Sequence, residues 1–470
     1  MIDSLSMHFF AVIAGGLTAV ASQAGQHADD PGAVRTDGFS ALLIDAQLRA
    51  RSVHVLTFSG TTITIADVAG GRTELPASEC TALIPTPGGA DAELGIGAAS
   101  RGMISALGGS LLDAGADPAL PLEKISERLN AAALGAVELV DGQRFPGSPV
   151  PTSGEEESVT WQHEKLGPLS IALDRVARAV APGTNAIGLP DAPAKDDELI
   201  LANGDRITGL ILSLGDPLQI EKEDGTIVTL PQDRMGAALL ANPRRRASGM
   251  MLWLDDGTVL AAERLSARGG DQFTVWPVES GQTQRETSGD GDGDGNGAAQ
   301  PGSGAPSASY GVRSIRGVLF DAGRVVALSD LPILSQTPAP GRRTGEPVRR
   351  VNHPDDFAVG SNPTLGAWDL ELPGPMEVRW SLPEQGTRIA GTIALRDDSR
   401  PWGDCDVIIL LDGTEAWRSH LGGDKTAAAF NLDLMASGRS AREFVVRIEP
   451  GKYGPIKDQV IIRRGMILLR

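Results

Sequence analysis

Cysteine is almost missing from this chain of 470 residues, which has only Cys80 and Cys405. Two cysteines so far apart cannot assemble a zinc site, and they read as free buried thiols rather than as a disulfide. Aromatic residues are scarce at 4%, with seven tryptophans and two tyrosines, so a surface that works by stacking has few side chains to draw on. The six histidines (His8, His27, His54, His163, His353, His420) have no metal-ligand spacing, and His163 in "HEKLG" lacks a second histidine four residues on. No P-loop, G-x-S-x-G elbow or strand-to-helix G-x-G-x-x-G is present. Adjacent acids such as Asp397 and Asp398, or Asp196 and Asp197, would face opposite sides of a strand, whereas glycosidase carboxylates converge at about 5 to 9.5 Å. These absences point away from an enzyme and from any cofactor or bound metal.

Positive charge is also in deficit. Forty-two basic against 60 acidic residues give a net charge of -18 and a pI near 4.8, which argues against a nucleic-acid or anionic-membrane partner. The short basic run "NPRRRASG" from Asn242 reads as a solvated loop between units. No apolar run reaches the ~20 residues of a transmembrane span. The run "FFAVIAGGLTAV", from Phe9 to Val20, is followed by small-x-Ala cleavage patterns ending at Ala21 and Ala24, so residues 1–24 read as a secretory signal peptide. That predicts a secreted, periplasmic or cell-envelope protein with no transmembrane span.

Glycine and proline, 58 and 31 of the residues, exceed the usual share of roughly 12% and predict many turns and short elements. The short elements repeat. Three stretches, from Val137, Glu198 and Met250, each open with an apolar run broken by Asp-Gly or Asn-Gly, the dipeptides of tight hairpins, followed by short alternating strands. A weaker copy starts at Val53, where "ELPASECTALI" lies beside "TLPQDRMGAALL" and "IALDRVARAV". Cys80 thereby takes the place of Val176 and Met235, which makes it a core thiol without chemistry. Four or five strands of period two per unit predict small SH3-like barrels or curled sheets, packed together because a unit of ~40 residues is marginal alone. The units are placed at 31–116, 137–196, 197–246 and 247–326, with a connecting helix over 117–136, where Leu122, Ile125 and Leu129 fall at helical spacing.

The run "SGDGDGDGNG" from Ser288 starts like an EF-hand loop but has Pro301 where a bidentate Glu is needed. Aligned on the repeat, "QFTVWPVESG" precedes it and "VRSIRGVLF" follows it, which makes 282–309 an insertion, disordered by composition, between strands of one unit that still pair.

From about residue 327 the strands lengthen: "WDLELPG", "TRIAGTIALRDD", "CDVIILLDGTEAWRS", "FNLDLMASGRSAREFVVRIEPG" and "DQVIIRRGMILL". Six to eight antiparallel strands predict a jelly-roll β-sandwich over 327–470. The chain as a whole is therefore expected to be mainly all-β. The order of these segments resembles the NPCBM/NEW2 domain, a carbohydrate-binding module with a galactose-binding-like fold, over about a third of the chain. The resemblance implies a glycan or envelope polysaccharide as partner.

Within this region Trp402 stands out, in the inter-strand loop "RDDSRPWGDCD" with Arg396, Asp397, Asp398, Arg400 and Asp404. Loops carry sites more often than strands do. Two readings stand: a ligand-binding surface, or a Trp capping the sandwich end while its neighbours pair in solvent. The hairpin "IEPGKYGPIKDQ" would bring Tyr453 and Asp458 to the same edge, although its Pro-Gly turn explains it equally well. Trp368 and Trp380 lie on strands and read as core. The function expected is a secreted, non-catalytic glycan- or envelope-binding protein. The alternatives are a structural or protein-interaction scaffold of the envelope and an accessory part of an enzyme complex.

Overall fold

A computed structural model describes residues 38–66, 71–86, 135–151, 157–184, 193, 195–267, 272–278, 308–339, 346–351, 363–436, 438–452, 454 and 457–470. Among these, strands dominate and every helical segment is a three-residue 3-10 turn. The chain is mainly β, as its glycine and proline content requires.

Four five-stranded units come first. The first comprises β1 (Phe39–Asp45), β2 (Ala50–Ser59), β3 (Thr62–Ala66), β4 (Arg72–Pro76) and β5 (Cys80–Pro85). The second has β6 (Gly135–Leu139), β7 (Arg144–Pro149), β8 (Ser158–His163), β9 (Gly167–Ala172) and β10 (Val176–Val180). In the third are β11 (Asp197–Leu201), β12 (Arg206–Ser213), β13 (Leu218–Glu221), β14 (Ile227–Leu230) and β15 (Met235–Leu239). The fourth holds β16 (Met250–Leu254), β17 (Val259–Ala267), β18 (Gln272–Pro277), β19 (Ala308–Gly311) and β20 (Ile315–Leu319). In each, four strands form an antiparallel meander, a 3-10 turn follows, and the fifth strand returns to the first. This is an SH3-like barrel. Cys80, Val176, Met235 and Ile315 each open a fifth strand and are buried, and the four interiors merge into one apolar cluster.

Local chemistry explains the opening hairpins. Gly142, Gly204 and Gly257 adopt φ of 84°, 90° and 86°. The Asp141, Asn203 or Asp256 side chain before each accepts the amide of the residue two further on. The first barrel departs from this. Val53, the anticipated start of its repeat, lies inside β2, and the true opening hairpin is β1–β2. Its turn has no Asp-Gly: Asp45 Oδ1 accepts the Gln47 and Arg49 amides, and Leu48 takes φ 54°. Periodicity alone could not find a turn built on leucine.

The barrels do not stack in chain order. β5 pairs with β20, and β10 with β15, so the first joins the fourth and the second joins the third through their fifth strands. β18 and β19 pair from Gln272↔Gly311 to Val275↔Ala308, closing the fourth barrel across residues 279–307, which lie outside the described residues, as does the Gly-Asp run. Of the anticipated helix over 117–136, Gly135 and Ala136 instead open β6. Its remaining residues, and the signal segment 1–24, fall outside the described set. The basic run is a solvated loop between units, with Arg244, Arg245 and Arg246 exposed, and hydrogen bonds pin it at several points. Residues 240–246 lie along the second barrel: Leu240 N donates to Ala177 O, Asn242 Nδ2 to Leu173 O and Val176 O, and Arg245 N to Val140 O.

The C-terminal sandwich begins at β21 (Val325–Ala327), which pairs with its last strand. The other strands are β22 (Ile333–Pro338), β23 (Arg349–Val351), β24 (Asp369–Pro373), β25 (Met376–Ser381), β26 (Gly386–Leu395), β27 (Cys405–Leu411), β28 (Thr414–Leu421), β29 (Ala427–Asp433), β30 (Glu443–Pro450) and β31 (Gln459–Leu469). One sheet runs β23-β24-β31-β26-β29 and the other β22-β25-β30-β27-β28, enclosing Trp380, Phe430 and Phe444. A separate apolar cluster joins Ile44, Leu48, Met251, Trp253 and Leu319 of the first and fourth barrels to Leu365, Ala390 and Met466 of the sandwich. Asn431 Nδ2 adds hydrogen bonds to Gln47 O (3.0 Å) and Leu48 O (3.1 Å). The sandwich is thus seated on the barrels by an apolar contact.

Candidate functional site

The loop 396–404 joins β26 to β27 at one end of the sandwich. A single 3-10 turn, Asp397–Ser399, shapes it: the Ser399 and Arg400 amides donate to Arg396 O, and Trp402 N donates to Ser399 O at 3.0 Å. Ser399 is fully buried, with its hydroxyl on Gln459 Oε1 at 2.8 Å, and Arg396 N reaches Gln459 O at 3.0 Å. The loop is therefore tied to the start of β31 by main chain and side chain together.

On this base Trp402 is 68% exposed. The other tryptophans are covered to differing degrees. Trp161, Trp253 and Trp380 are buried, Trp368 and Trp417 are half-buried, and Trp276 lies under the Arg264 guanidinium at 3.8 Å. Around Trp402, Arg396 grips Asp398 with two bonds of 2.7 and 3.0 Å and Glu371 with one of 2.6 Å, and Lys457 Nζ adds a 3.2 Å bond to Asp398. Partial burial pushes the Asp398 carboxyl up, but its hydrogen bonds from Arg396 and Lys457 outweigh that and hold it below the usual carboxylate range. Arg400 is largely covered and pairs with Asp397 at 2.8 Å.

The anticipated site residues thus separate. Trp402, Asp398 and, less fully, Arg400 reach the surface of one loop. Asp404 and Asp458 do not: they are 6% and 1% exposed, so neither presents a carboxylate to a surface ligand. Asp404 Oδ1 faces His420 Nε2 at 3.1 Å. Burial first, then the fields of Asp458, Asp406 and Asp404, push the Cys405 thiol up to about 12. Asp404 and Asp458 are buried beside this thiol; a strand-flanking acid can point inward as readily as outward, and sequence offers no sign of which. Tyr453 lies outside the described residues. Arg396, already in the loop, and Lys457, which the sequence does not mark, are the cations that hold Asp398. The signal of Lys457 was weak, since it only flanks an acid in a loop.

Two other surfaces qualify as candidates less well. The outer face of β25-β30-β27-β28 is laced with ion pairs, including Arg379 with Glu377 and Glu443, Arg447 with Glu377, and Arg418 with Glu415. An open depression of about 940 Å³ lies between the second and third barrels, lined in part by Pro149, Pro182, Ile200, Arg206 and Pro231. It is formed by elements remote in sequence from the Trp402 loop. Among the described residues no three His, Cys, Asp or Glu side chains converge as a metal site would require.

No protein-family profile matches the chain, and a search of curated proteins finds no match. Among solved structures, a CBM51 from Clostridium perfringens GH95 in complex with methyl-galactose matches at 13% identity and a TM-score of 0.24, over 30% of this chain and 99% of that one. Tandem CBM51 modules of a family 98 glycoside hydrolase from Streptococcus pneumoniae match at 9% identity and 0.25, over 58% and 88%. The CBM51-2 and INT domains of Clostridium perfringens ZmpB, in complex with GlcNAc, match at 13% and 0.24 over 44% of this chain, which spans only 40% of that structure. A likeness of this size decides neither activity nor ligand.

Proposed function

We propose that this chain is an exported, non-catalytic binding protein whose C-terminal sandwich takes a glycan or envelope polysaccharide at the Trp402 loop. One observation carries the reading: an indole 68% exposed on a loop tied down by main-chain and side-chain hydrogen bonds. A sugar ring stacks its CH face on such a surface, while charged groups beside it bond the hydroxyls. Asp398 accepts and Lys457 donates within one loop cluster, and pre-ordering of the loop main chain lowers the entropy lost on binding. The NPCBM/NEW2-like order of strands fits the same reading.

Retention on a panel of immobilised envelope polysaccharides, for the full chain and for Trp402→Ala, tests it. Burial of one indole face is worth about 2 kcal/mol, so the variant should bind roughly 30-fold more weakly with unchanged thermal stability. No retention of the unsubstituted chain on any glycan would end the proposal. N-terminal sequencing of the exported protein should read from Ser22 or Gly25. Release of reducing ends from those polysaccharides would overturn the non-catalytic part.

A protein-binding scaffold is the second reading. It is favoured by Leu210 and Ile227, 57% and 53% exposed, which flank Glu221 on adjacent strands of the third barrel. Cross-linking to an envelope protein that is lost in Leu210→Asp but kept in Trp402→Ala would select it.

A further inference from the structure

The second and fourth barrels meet along a polar seam with buried residues on both sides. Arg144 Nη1, on β7, donates to Gly257 O at 3.0 Å, and Gln143 Oε1, just before it, accepts from Ala261 N at 3.0 Å. His163 ends β8 at 2% exposure, with its Nε2 2.9 Å from Thr258 Oγ1. Arg144 also pairs in backbone register with Val259.

The His163 ring is held in one tautomer. Its Nδ1 lies 3.1 Å from the Lys165 and Leu166 amides, which can only donate, so Nδ1 carries no proton and Nε2–H donates to Thr258. A second proton would have to sit on Nδ1, facing two N–H groups. Burial further lowers the ring's affinity for that proton; Asp256 favours it, Lys165 opposes it and Glu164 favours it. Asp256 is already engaged, by Thr258 N at 2.9 Å and Lys165 Nζ at 3.4 Å. The remaining ionisable groups along the seam are Asp255, whose carboxyl is raised chiefly by burial, Tyr310 beneath Lys165 at 5.3 Å, and Glu138, held between Arg144 and Arg178. The Phe145 ring, edge-on at 6.2 Å, adds no charge.

We propose that His163 makes this seam an acid-sensitive contact: protonation releases the turn 164–166 from the ring, Lys165 leaves Asp256, and the second and fourth barrels part there. The sign follows from linkage. The closed seam excludes a proton that a freed imidazole takes up near pH 6.5, so closure is fully favoured above that value and weakens as pH falls below it. The opening equilibrium grows as one plus ten to the power of 6.5 minus pH, which is about 30-fold between pH 7.5 and 5.0.

Amide exchange on the full chain, corrected for intrinsic rates, reads this directly. Protection at Lys165, Leu166 and Ala261 should fall about 30-fold between those pH values while Ile389, in the sandwich, keeps its protection. His163→Gln, which does not titrate, should make seam protection independent of pH. If that variant does not fold, the nitrogen shifts of His163 in the unsubstituted chain take its place, and protonation should track the loss of protection. Protection unchanged with pH, an equal loss in His163→Gln, an equal loss at Ile389, or a doubly protonated His163 within a protected seam would each overturn the proposal.

Discussion

One glycine lies at a close approach between the sandwich and the fourth barrel. Gly317 of β20 faces the turn Thr364–Gly366, and a Cβ added there would lie 2.8 Å from Thr364 Cγ2 and 3.1 Å from Leu365 Cδ2. The turn cannot easily retreat, because Leu365 and Gly366 already hold φ of 59° and 69° and Leu365 is buried in the interface cluster. In a free strand Gly→Ala would stabilise by about 0.5 to 1 kcal/mol. Overpacking costs about 1 to 3 kcal/mol, so Gly317→Ala should be destabilising by roughly 1 to 2 kcal/mol. Thr364→Ser keeps the hydroxyl, deletes the obstructing methyl and alone should cost about 0.8 kcal/mol. Combined, the two exchange one methyl for another in the same space, and the double variant should lie near the unsubstituted chain. The coupling read from urea midpoints of the four proteins at constant slope should be roughly 2 to 3 kcal/mol, the sum of the two single costs. Effects that add within about 0.3 to 0.5 kcal/mol would refute the tight contact between Gly317 and Thr364.

Other expectations follow from buried and paired groups. Glu138→Leu removes the carboxylate that Arg144 and Arg178 share in the protein interior and should cost about 3 to 5 kcal/mol by urea unfolding. Asp398→Asn should weaken the Trp402 loop at neutral pH only. The Asp398 carboxyl is depressed, so its contribution is present above the ordinary carboxylate range and is lost below it, as pH falls through the lowered value; proteolysis of the loop in variant and parent should converge only in strong acid. Burial raises the Cys80 thiol to about 11 and the Cys405 thiol to about 12, so neither should react with a thiol reagent at pH 8 until the chain unfolds. Cys80→Val should cost less than about 1.5 kcal/mol by thermal unfolding, because Val176 fills the same place in the second barrel.

Much of the local architecture is legible in the residues. Asp-Gly and Asn-Gly set the opening hairpins of three barrels, since each pair supplies positive φ together with a side chain that accepts the next free amide. The alignment of Cys80 with Val176 and Met235 follows from an apolar residue needed behind each 3-10 turn. The first barrel's β1 escaped it because Leu48 does at that turn what glycine does elsewhere, with Asn431 of the sandwich bonding its carbonyl. At the candidate site the exposed Trp402 could be singled out by residue type, yet the inward turn of Asp404 and Asp458 could not.

By itself the sequence determined the class of structure and the grain of the repeats: a turn-rich chain of period-two strands can bury its apolar faces only by curling or by pairing sheets. It also marked Trp402, an aromatic in a charged loop between two strands. Only the tertiary structure decided that the first barrel joins the fourth and the second the third, that the run 242–246 lies along the second barrel, and that His163 is locked between two barrels. Those contacts join residues dozens to hundreds of positions apart, where complementary shape and paired donors choose the partner, and neither leaves a periodic trace in the chain.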